Sequence, residues 1–424
     1  MSPDPSAATH TRVAGRIIAA AAAVSLALVA CGDAGSEPRD GAGDALGADL
    51  AGSLSAADAA AAADGVNAFG FDLHTGVAQD GENTVTSPLS ASVLLAMVTA
   101  GADGDTAEEM VELLGLDGPQ DTRYAALLAD LVDTDDVTLA IANSLWAAEG
   151  YPFEDDYVSF VQDTYRATLD EVDLGSQDAA DTIDDWVSDG TEGLIDEIAA
   201  DLGLPDAQAV LVLLNTVYFL GTWTTTFNED DTRPAPFTLA DGDVVDVPTM
   251  HRSAAELETS VGDGFQMLRL PYGDDERFGM EVLLPDEDVA LDEMLGDLDA
   301  GTWQETVDGL QPATVSGVAL PRFELEWEAD LTEVLHSLGM ESAFGGGDFT
   351  PMSPANPSLD AVAQKTYIRV DEEGTEAAAV TGGAMTTSST GPPPFQVDRP
   401  FAFTVSDRET GVVLFLGSVH DPRG

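Results

Sequence analysis

The apolar positions of this chain fall into two successive regimes. Val66, Phe69, Phe71, Leu73 and Val77 repeat with helical spacing, as do Leu89, Val93, Leu94, Met97 and Val98 after Ser87-Pro88. Ala107 to Leu114 continues the pattern. Residues Thr138 to Trp146 alternate and predict a strand, Tyr151 to Ala167 returns to helical spacing, and Ile183 to Ile198 predicts a helix around Trp186. Ala209 to Phe219 is a long, nearly uncharged run rich in β-formers, the pattern of a strand buried on both faces. Strands dominate from there: Phe237 to Met250, Phe265 to Leu270, Phe278 to Leu284 and Ala313 to Leu325. One helix, Leu331 to Leu338, interrupts them before Tyr367 to Val370, Phe401 to Val405 and Val412 to Val419. Helices first and strands later predict an α+β fold rather than βαβ alternation.

The first 64 residues lack such a pattern and read as address and spacer. Arg12 and Arg16 precede an apolar stretch from Ile17 to Ala30, shorter than the roughly 20 residues that span a bilayer and suited to a signal-peptide core. It ends in Leu28-Val29-Ala30-Cys31-Gly32, which resembles a bacterial lipobox, and Cys31 is the single cysteine of the chain. We therefore expect residues 1–30 to be a lipoprotein signal peptide and Cys31 to carry the lipid. The alternative is an ordinary signal with an incidental cysteine. Either way the protein is exported, lipid-anchored to the outer face of the membrane or secreted, and has no internal disulfide. Residues 31–64, mostly Gly, Ala, Ser and Asp, predict a flexible linker, and 65–424 one folded body.

Charge excludes some partners without naming others. The chain has 78 acidic and 15 basic side chains, a formal net charge of −63, and Lys365 is its sole lysine. Such a surface has no electrostatic route to nucleic acid, and membrane contact is expected only through the lipid. No nucleophile elbow, phosphate loop or zinc helix occurs. His10, His74, His251, His336 and His420 lack ligand spacing, and no acidic run completes a calcium loop, so neither metal nor cofactor is expected. Nothing in the chain assembles an enzyme's catalytic group.

The informative segment is the one without charge. From Ala377 to Val397 there are 21 consecutive uncharged residues in a chain that is 22% charged. They are small and soluble, with a Gly-Gly pair and three prolines. A surface linker between strands is one reading. The other is a segment able to leave the surface and enter a sheet, since Thr375, Ala377, Ala379, Thr381 and Gly383, on one strand phase, bring nothing that a sheet interior would reject.

The residues around it resemble a known family. Glu372-Glu373-Gly374-Thr375-Glu376-Ala377-Ala378-Ala379 is similar to the reactive-centre-loop hinge of inhibitory serpins. Arg399-Pro400-Phe401-Ala402-Phe403 and Leu414-Phe415-Leu416-Gly417 resemble that family's C-terminus. Ser87-Pro88-Leu89-Ser90, Asn143-Ser144-Leu145-Trp146, Ile183-Asp184-Asp185-Trp186, Asn215-Thr216-Val217-Tyr218-Phe219 and Leu320-Pro321-Arg322-Phe323 match further family motifs in order. The resemblance implies helices packed around a large central sheet and two smaller sheets, with a long exposed reactive-centre loop.

It also implies a function: a monomeric suicide substrate that forms a covalent complex with a serine protease. The cleaved loop inserts into the central sheet and traps the acyl-enzyme. Fourteen residues beyond Gly374 the family's count gives the bond Ser388–Ser389. Counting back from Pro400 lands one residue later, so Thr387 and Ser389 stay open, with Met385 an outside candidate. Small residues there imply an elastase-like or subtilisin-like target with a shallow primary pocket. The sheet-opening cluster implied by the resemblance is Ser87, Ser90, Asn215 and Gln364, with Gln364 where a His is common. Gly382 and Gly383 weaken the β propensity of the inserting segment. A non-inhibitory serpin acting as a cell-surface binding protein is the alternative.

Overall fold

The computed structural model describes residues 54–132, 137–344, 346–359, 362–375 and 394–424. Residues 1–30 and Cys31, most of the expected linker, Glu376, Ala377, Ala378, Ala379, Ser388 and Ser389 lie outside them. The order is α1 (Ala56–Val77), β1 (Thr84–Thr86), α2 (Pro88–Thr99), α3 (Gly104–Leu114) and α4 (Arg123–Leu131). Next come β2 (Thr138–Ala148), α5 (Asp155–Tyr165), β3 (Thr168–Val172), α6 (Gln177–Gly190) and β4 (Leu211–Thr222). Strands β5 (Arg233–Thr238), β6 (Val244–Val261), β7 (Phe265–Pro271) and β8 (Phe278–Pro285) precede α7 (Leu291–Gly296) and α8 (Ala300–Asp308). The chain continues through β9 (Gln311–Pro321), β10 (Phe323–Asp330), α9 (Thr332–Ser337), β11 (Ala363–Val370), β12 (Gly374–Thr375), β13 (Phe395–Gln396), β14 (Phe401–Asp407) and β15 (Val413–Val419).

Three sheets result among the described residues. The largest has nine strands along the path β1-β15-β14-β8-β7-β6-β9-β13, with β5 hydrogen-bonded to β6. Every residue of β14 and β15 is buried, because both faces of that part of the sheet are covered. The other two sheets are β12-β4-β2-β3 and the pair β10-β11. The α+β class expected from the sequence is present, with helices around one large mixed sheet and two smaller ones.

Several boundaries differ from the sequence expectation, each for a physical reason. The body begins before Gly65: α1 starts at Ala56 and buries Ala59, Ala62 and Ala63 in the main core, so the Ala-rich stretch packs rather than spaces. Ser55 and Asp58 form a reciprocal capping box that starts this helix. The helical spacing of Ile183 to Ile198 is broken at Gly190, after which residues 191–204 run as turns while Ile195, Ile198 and Leu202 still pack on α6. The apolar run Ala313 to Leu325 is two strands in two sheets, β9 against β6 and β10 against β11, divided at Arg322.

Where α1 ends against β1, His74 is buried and its Nδ1 lies 3.2 Å from Thr86 Oγ1. Burial, with a smaller repulsion from His420, lowers its pKa from 6.5 to about 4. His420 is also lowered by burial, against the opposing pull of Asp292, 3.1 Å from its Nε2, and of Asp80. In the unfolded chain His74 takes up its proton near pH 6.5, while the native protein resists doing so until about pH 4. Stability is therefore full above pH 6.5 and falls as the pH drops through that window, by about 3 kcal/mol from His74. Urea titrations at pH 7 and pH 4.5 should show this loss, and His74→Leu should remove most of the slope.

Candidate functional site: an open cleft and its hinge

β4 and β11 are neighbours without being paired. β4 bonds to β2 on one side, in register from Thr138↔Leu220 to Ala147↔Leu211, and β11 bonds to β10. Their facing edges bound a cleft with about 100 Å³ of water-accessible space, lined by Leu213 to Phe219 of β4, by Val362 and by Ala363 to Arg369 of β11. Ser87, Ser90, Ala91 and Leu94 of α2 form its inner wall. Leu194, Ile195, Ile198 and Leu202 cover it from the α6 side. Two rows of strand-edge peptide groups with no strand between them among the described residues are a template for one more strand.

The chain itself starts to fill that vacancy. After β11 it turns back through Asp371-Glu372-Glu373, and β12 pairs antiparallel with the far end of β4, Gly374↔Thr222 and Thr375↔Gly221. The turn is tied down by backbone bonds. Trp223 N–H donates to Glu373 O at 2.8 Å, Phe227 N–H to Glu372 O at 2.7 Å, and the Trp223 indole N–H to Asp371 O at 2.9 Å. Trp223 in turn stacks on Tyr272 at 4.4 Å. At Gly374, with φ +150°, a Cβ would stand 2.0 Å from Gly221 O and 2.8 Å from Thr222 Cα, so only glycine permits this close approach. Glu372 is 4% exposed, accepts a 2.5 Å hydrogen bond from Thr232 Oγ1 and lies 3.6 Å from Arg322 Nε.

Of the four cluster residues expected from the sequence, the structure brings three together. Gln364 accepts from Ser87 N–H at 3.1 Å and donates to Ser87 O at 2.9 Å, tying β11 to the start of α2. Ser87 is the N-cap of α2, accepting from Ser90 N–H at 3.4 Å and donating through its hydroxyl to Leu414 O at 2.8 Å. Asn215 lines the same cleft but turns elsewhere, donating to Asn143 Oδ1 at 2.7 Å across the β2–β4 ladder. Its own Oδ1 is buried without a partner among the described residues, as is Thr216 Oγ1. The amide of Gln364 thus does fill a role in this network, through the backbone of Ser87. Gln364→Ala would leave that buried N–H and C=O unmatched, and we expect it to cost about 2 kcal/mol in urea unfolding.

Thr232 and Phe227 are absent from the sequence expectation, which gave Asn143 and Arg322 as members of family motifs but not as the partners of Asn215 and Glu372. Trp223 did carry a signal: with Gly221 it extends the family resemblance of Asn215 to Phe219.

Comparison with known proteins agrees with this architecture. Residues 64–422 match the family model described as Serpin (serine protease inhibitor). The chain is 36% identical over 370 residues to an uncharacterised serpin-like protein of Thermococcus kodakarensis, covering 84% of this chain and 85% of that one. It is 35% identical over 361 residues to Serpin-Z10 of Arabidopsis thaliana, covering 81% and 92%. Among solved structures it is similar to the thermophilic serpin tengpin in its native state, with a TM-score of 0.75 at 28% identity over 85% of this chain and 94% of that one. Arabidopsis AtSerpin1 in its native stressed conformation gives a TM-score of 0.74 at 29% identity, covering 86% and 98%. A cleft between unpaired strands, a hinge seated at its mouth and a sequence match over nearly the whole folded body agree: the chain belongs to the serpin family, whose members are generally inhibitors of serine proteases rather than enzymes.

Proposed function

We propose that this protein is an inhibitory serpin that acts as a suicide substrate. The observation that carries this reading is the pairing of Gly374 and Thr375 with Thr222 and Gly221 at one end of a cleft whose two edges are otherwise unpaired among the described residues. Extending that register sets Ala377 opposite Phe219, Ala379 opposite Val217, Thr381 opposite Asn215 and Gly383 opposite Leu213. Phe219, Val217 and Leu213 pack in or against the main core, so small partners are what that face can accept. Thr381 would bring a hydroxyl to the unpartnered Asn215 Oδ1. On the other face Glu376 and Ala378 fall opposite Leu220 and Tyr218.

The chemistry belongs to the target. Its serine hydroxyl attacks the carbonyl of Ser388, the amide bond breaks, and the amine of Ser389 leaves with the proton relayed by the protease histidine. The shortened loop then adds as a strand between β4 and β11, giving partners to both edges, and carries the acyl-enzyme away before water can cleave the ester. Ser388, or the neighbouring Thr387 or Ser389, suits an elastase-like or subtilisin-like pocket. Lipid attachment at Cys31 would place the inhibitor on the outer face of the cell, with its acidic body held off an anionic membrane.

Incubation of the full chain with an elastase-type and a subtilisin-type protease tests the proposal. A complex that survives boiling in detergent, with release of a peptide beginning at Ser389, is expected. Clean cleavage by a broad protease panel with no such complex would refute inhibition and leave a surface binding role.

A further inference from the structure

Two buried imidazoles share one corner of the fold. His74 lies in the last turn of α1 and His420 directly after β15, and they are 2% and 3% exposed. Each has one ring nitrogen served and the other bare. Thr86 Oγ1 donates to Leu416 O at 3.4 Å, so it accepts from His74 Nδ1–H at 3.2 Å, and Nε2 is a buried lone pair with no partner among the described residues. Asp292 Oδ1 lies 3.1 Å from His420 Nε2, and a carboxylate only accepts, so Nε2 carries the hydrogen and Nδ1 is the bare nitrogen. The hydrogen-bond partners thus assign opposite tautomers to two neutral rings.

The same corner ties three segments together. Asn83 of the α1–β1 turn accepts from His420 N–H at 2.7 Å and Asp421 N–H at 3.0 Å, and donates to Asp421 O at 2.7 Å. Asp292 of α7 also accepts from Gly81 N–H of that turn at 3.2 Å. Among the described residues, Asp292 and Asp80 of the turn act on the charge of His420, and His420 acts on His74. β1 and β15 bring Thr84, Thr86 and Ser418 and no charge, and α9 meets the end of α1 through Val334 at Gly76. Asp421 is committed to Arg423, and Asp72 of α1 lies toward Asp299.

A proton on either ring adds a buried N–H where no acceptor stands, and the second proton must also join the charge of the first. At His420 the pull of Asp292 and Asp80 offsets part of the burial. At His74 nothing does, and its pKa falls to about 4. In an opened corner both rings regain the ordinary value near 6.5. The open form therefore binds up to two more protons than the closed one, so closure is complete above pH 6.5 and is lost as the pH falls below it. Opening here leaves the rest of the molecule in place: β1 has three residues and ends the path of its sheet, and the tail beyond β15 is held by the side chains of Asn83 and Asp292.

We propose that His74 and His420 are the paired triggers of an acid-opened clasp that fastens the C-terminal tail to the α1–β1 turn and to α7. The loss of stability derived above for His74 then begins as a local, two-proton event. The clasp stands apart from the inhibitory reading, and neither ring lines the cleft.

Hydrogen exchange of the full chain at pH 6 and pH 5, read as protection factors so that intrinsic rates cancel, tests the clasp. One proton shifts a closing equilibrium by at most about tenfold per pH unit. For the amides of Ala78, His420 and Asp421 we expect protection to fall roughly 20-fold in the natural chain, roughly sevenfold in His420→Gln and roughly threefold in His74→Asn, with no fall in the double variant. Gln and Asn keep a donor for Asp292 and Thr86 respectively, and circular dichroism at pH 7.5 establishes that each variant is folded. Amides of β8 and β14, in the middle of the sheet, should keep their protection. A fall of about tenfold or less in the natural chain, or one as steep in any variant as in the natural chain, overturns the paired trigger. An equal fall in β8 and β14 overturns the local clasp. Nitrogen NMR of the imidazoles in the natural chain decides the matter should a variant not fold: His74 is expected as the Nδ1–H and His420 as the Nε2–H tautomer, both mainly neutral at pH 6, and either ring charged at that pH overturns the proposal.

Discussion

On the inhibitory reading proposed above, Ala379→Arg is expected to turn this protein from inhibitor into substrate. In the register set by Gly374↔Thr222, residue 379 falls opposite Val217, whose side chain packs against the main core. An alanine adds one methyl there. An arginine would bring a guanidinium onto a face where α2 offers Ala91 and Leu94 and no acid, and an unpaired buried charge costs several kcal/mol. Insertion has to outrun hydrolysis of the acyl-enzyme, so a penalty of this size at the fifth residue past the hinge glycine decides the partition. The loop should be cut at the same bond and at an unchanged rate, because the substitution lies nine residues before Ser388. The detergent-stable complex should fall by at least about tenfold, and the gain in Tm on cleavage should vanish. Ala378→Arg, on the opposite phase and opposite Tyr218 in the extended register, is the control and should retain most inhibition. Equal complex formation by both variants would show that the register does not continue as drawn.

How much of this was legible in the sequence depended on whether the signal was local. Periodicity located α1, α2, α3 and the late strands, because each buries one stripe or one face and the repeat of 3.6 or 2 follows directly. It could not divide Ala313–Leu325 between two sheets, since β9 and β10 differ in partner and not in period. Short helices such as α4, α7 and α8 offer two or three turns and little pattern. In so acidic a chain the absence of charge over Ala377–Val397 is itself a signal, but the hinge expected at Glu372 to Ala379 rests on family resemblance. Gln364 and Ser87 were reached only through family resemblance, because the hydrogen bonds joining them span 277 positions. Asn215 illustrates the limit of that route. The motif placed it at the cleft, but Asn143 opposite it in the β2–β4 ladder claims its amide, and only the register shows this.

The largest expected loss of stability comes at the hinge, from Glu372→Lys. Glu372 lies two residues past Val370, where β11 ends, and its carboxylate is the buried anchor of the turn. It holds Thr232, 140 residues away, through a 2.5 Å hydrogen bond and faces Arg322 at the junction of β9 and β10. A lysine deletes the acceptor, leaves Arg322 without its partner and adds a second cation beside it. Arg322 is half-exposed and loses little by itself; the main penalty is a cation placed at the buried position of Glu372 with no acceptor beside it, and an unmatched buried charge is typically worth about 3–5 kcal/mol. The backbone bonds from Trp223 and Phe227 to Glu373 and Glu372 then have to hold the turn against that repulsion. If they yield, β12 leaves β4, and the cleft keeps two unpaired edges that a second molecule's loop matches as well as its own does. A head-to-tail contact of this kind does not close on itself and grows into chains. We therefore expect Glu372→Lys to lower the urea midpoint and to form ladders on native gels after hours at about 40 °C, conditions under which the natural chain is expected to form none. Glu372→Gln keeps an acceptor for Thr232 while removing the charge, and should fall between the two. A Glu372→Lys protein with an unchanged midpoint and no ladders would mean that the backbone bonds of Trp223 and Phe227 hold the hinge by themselves.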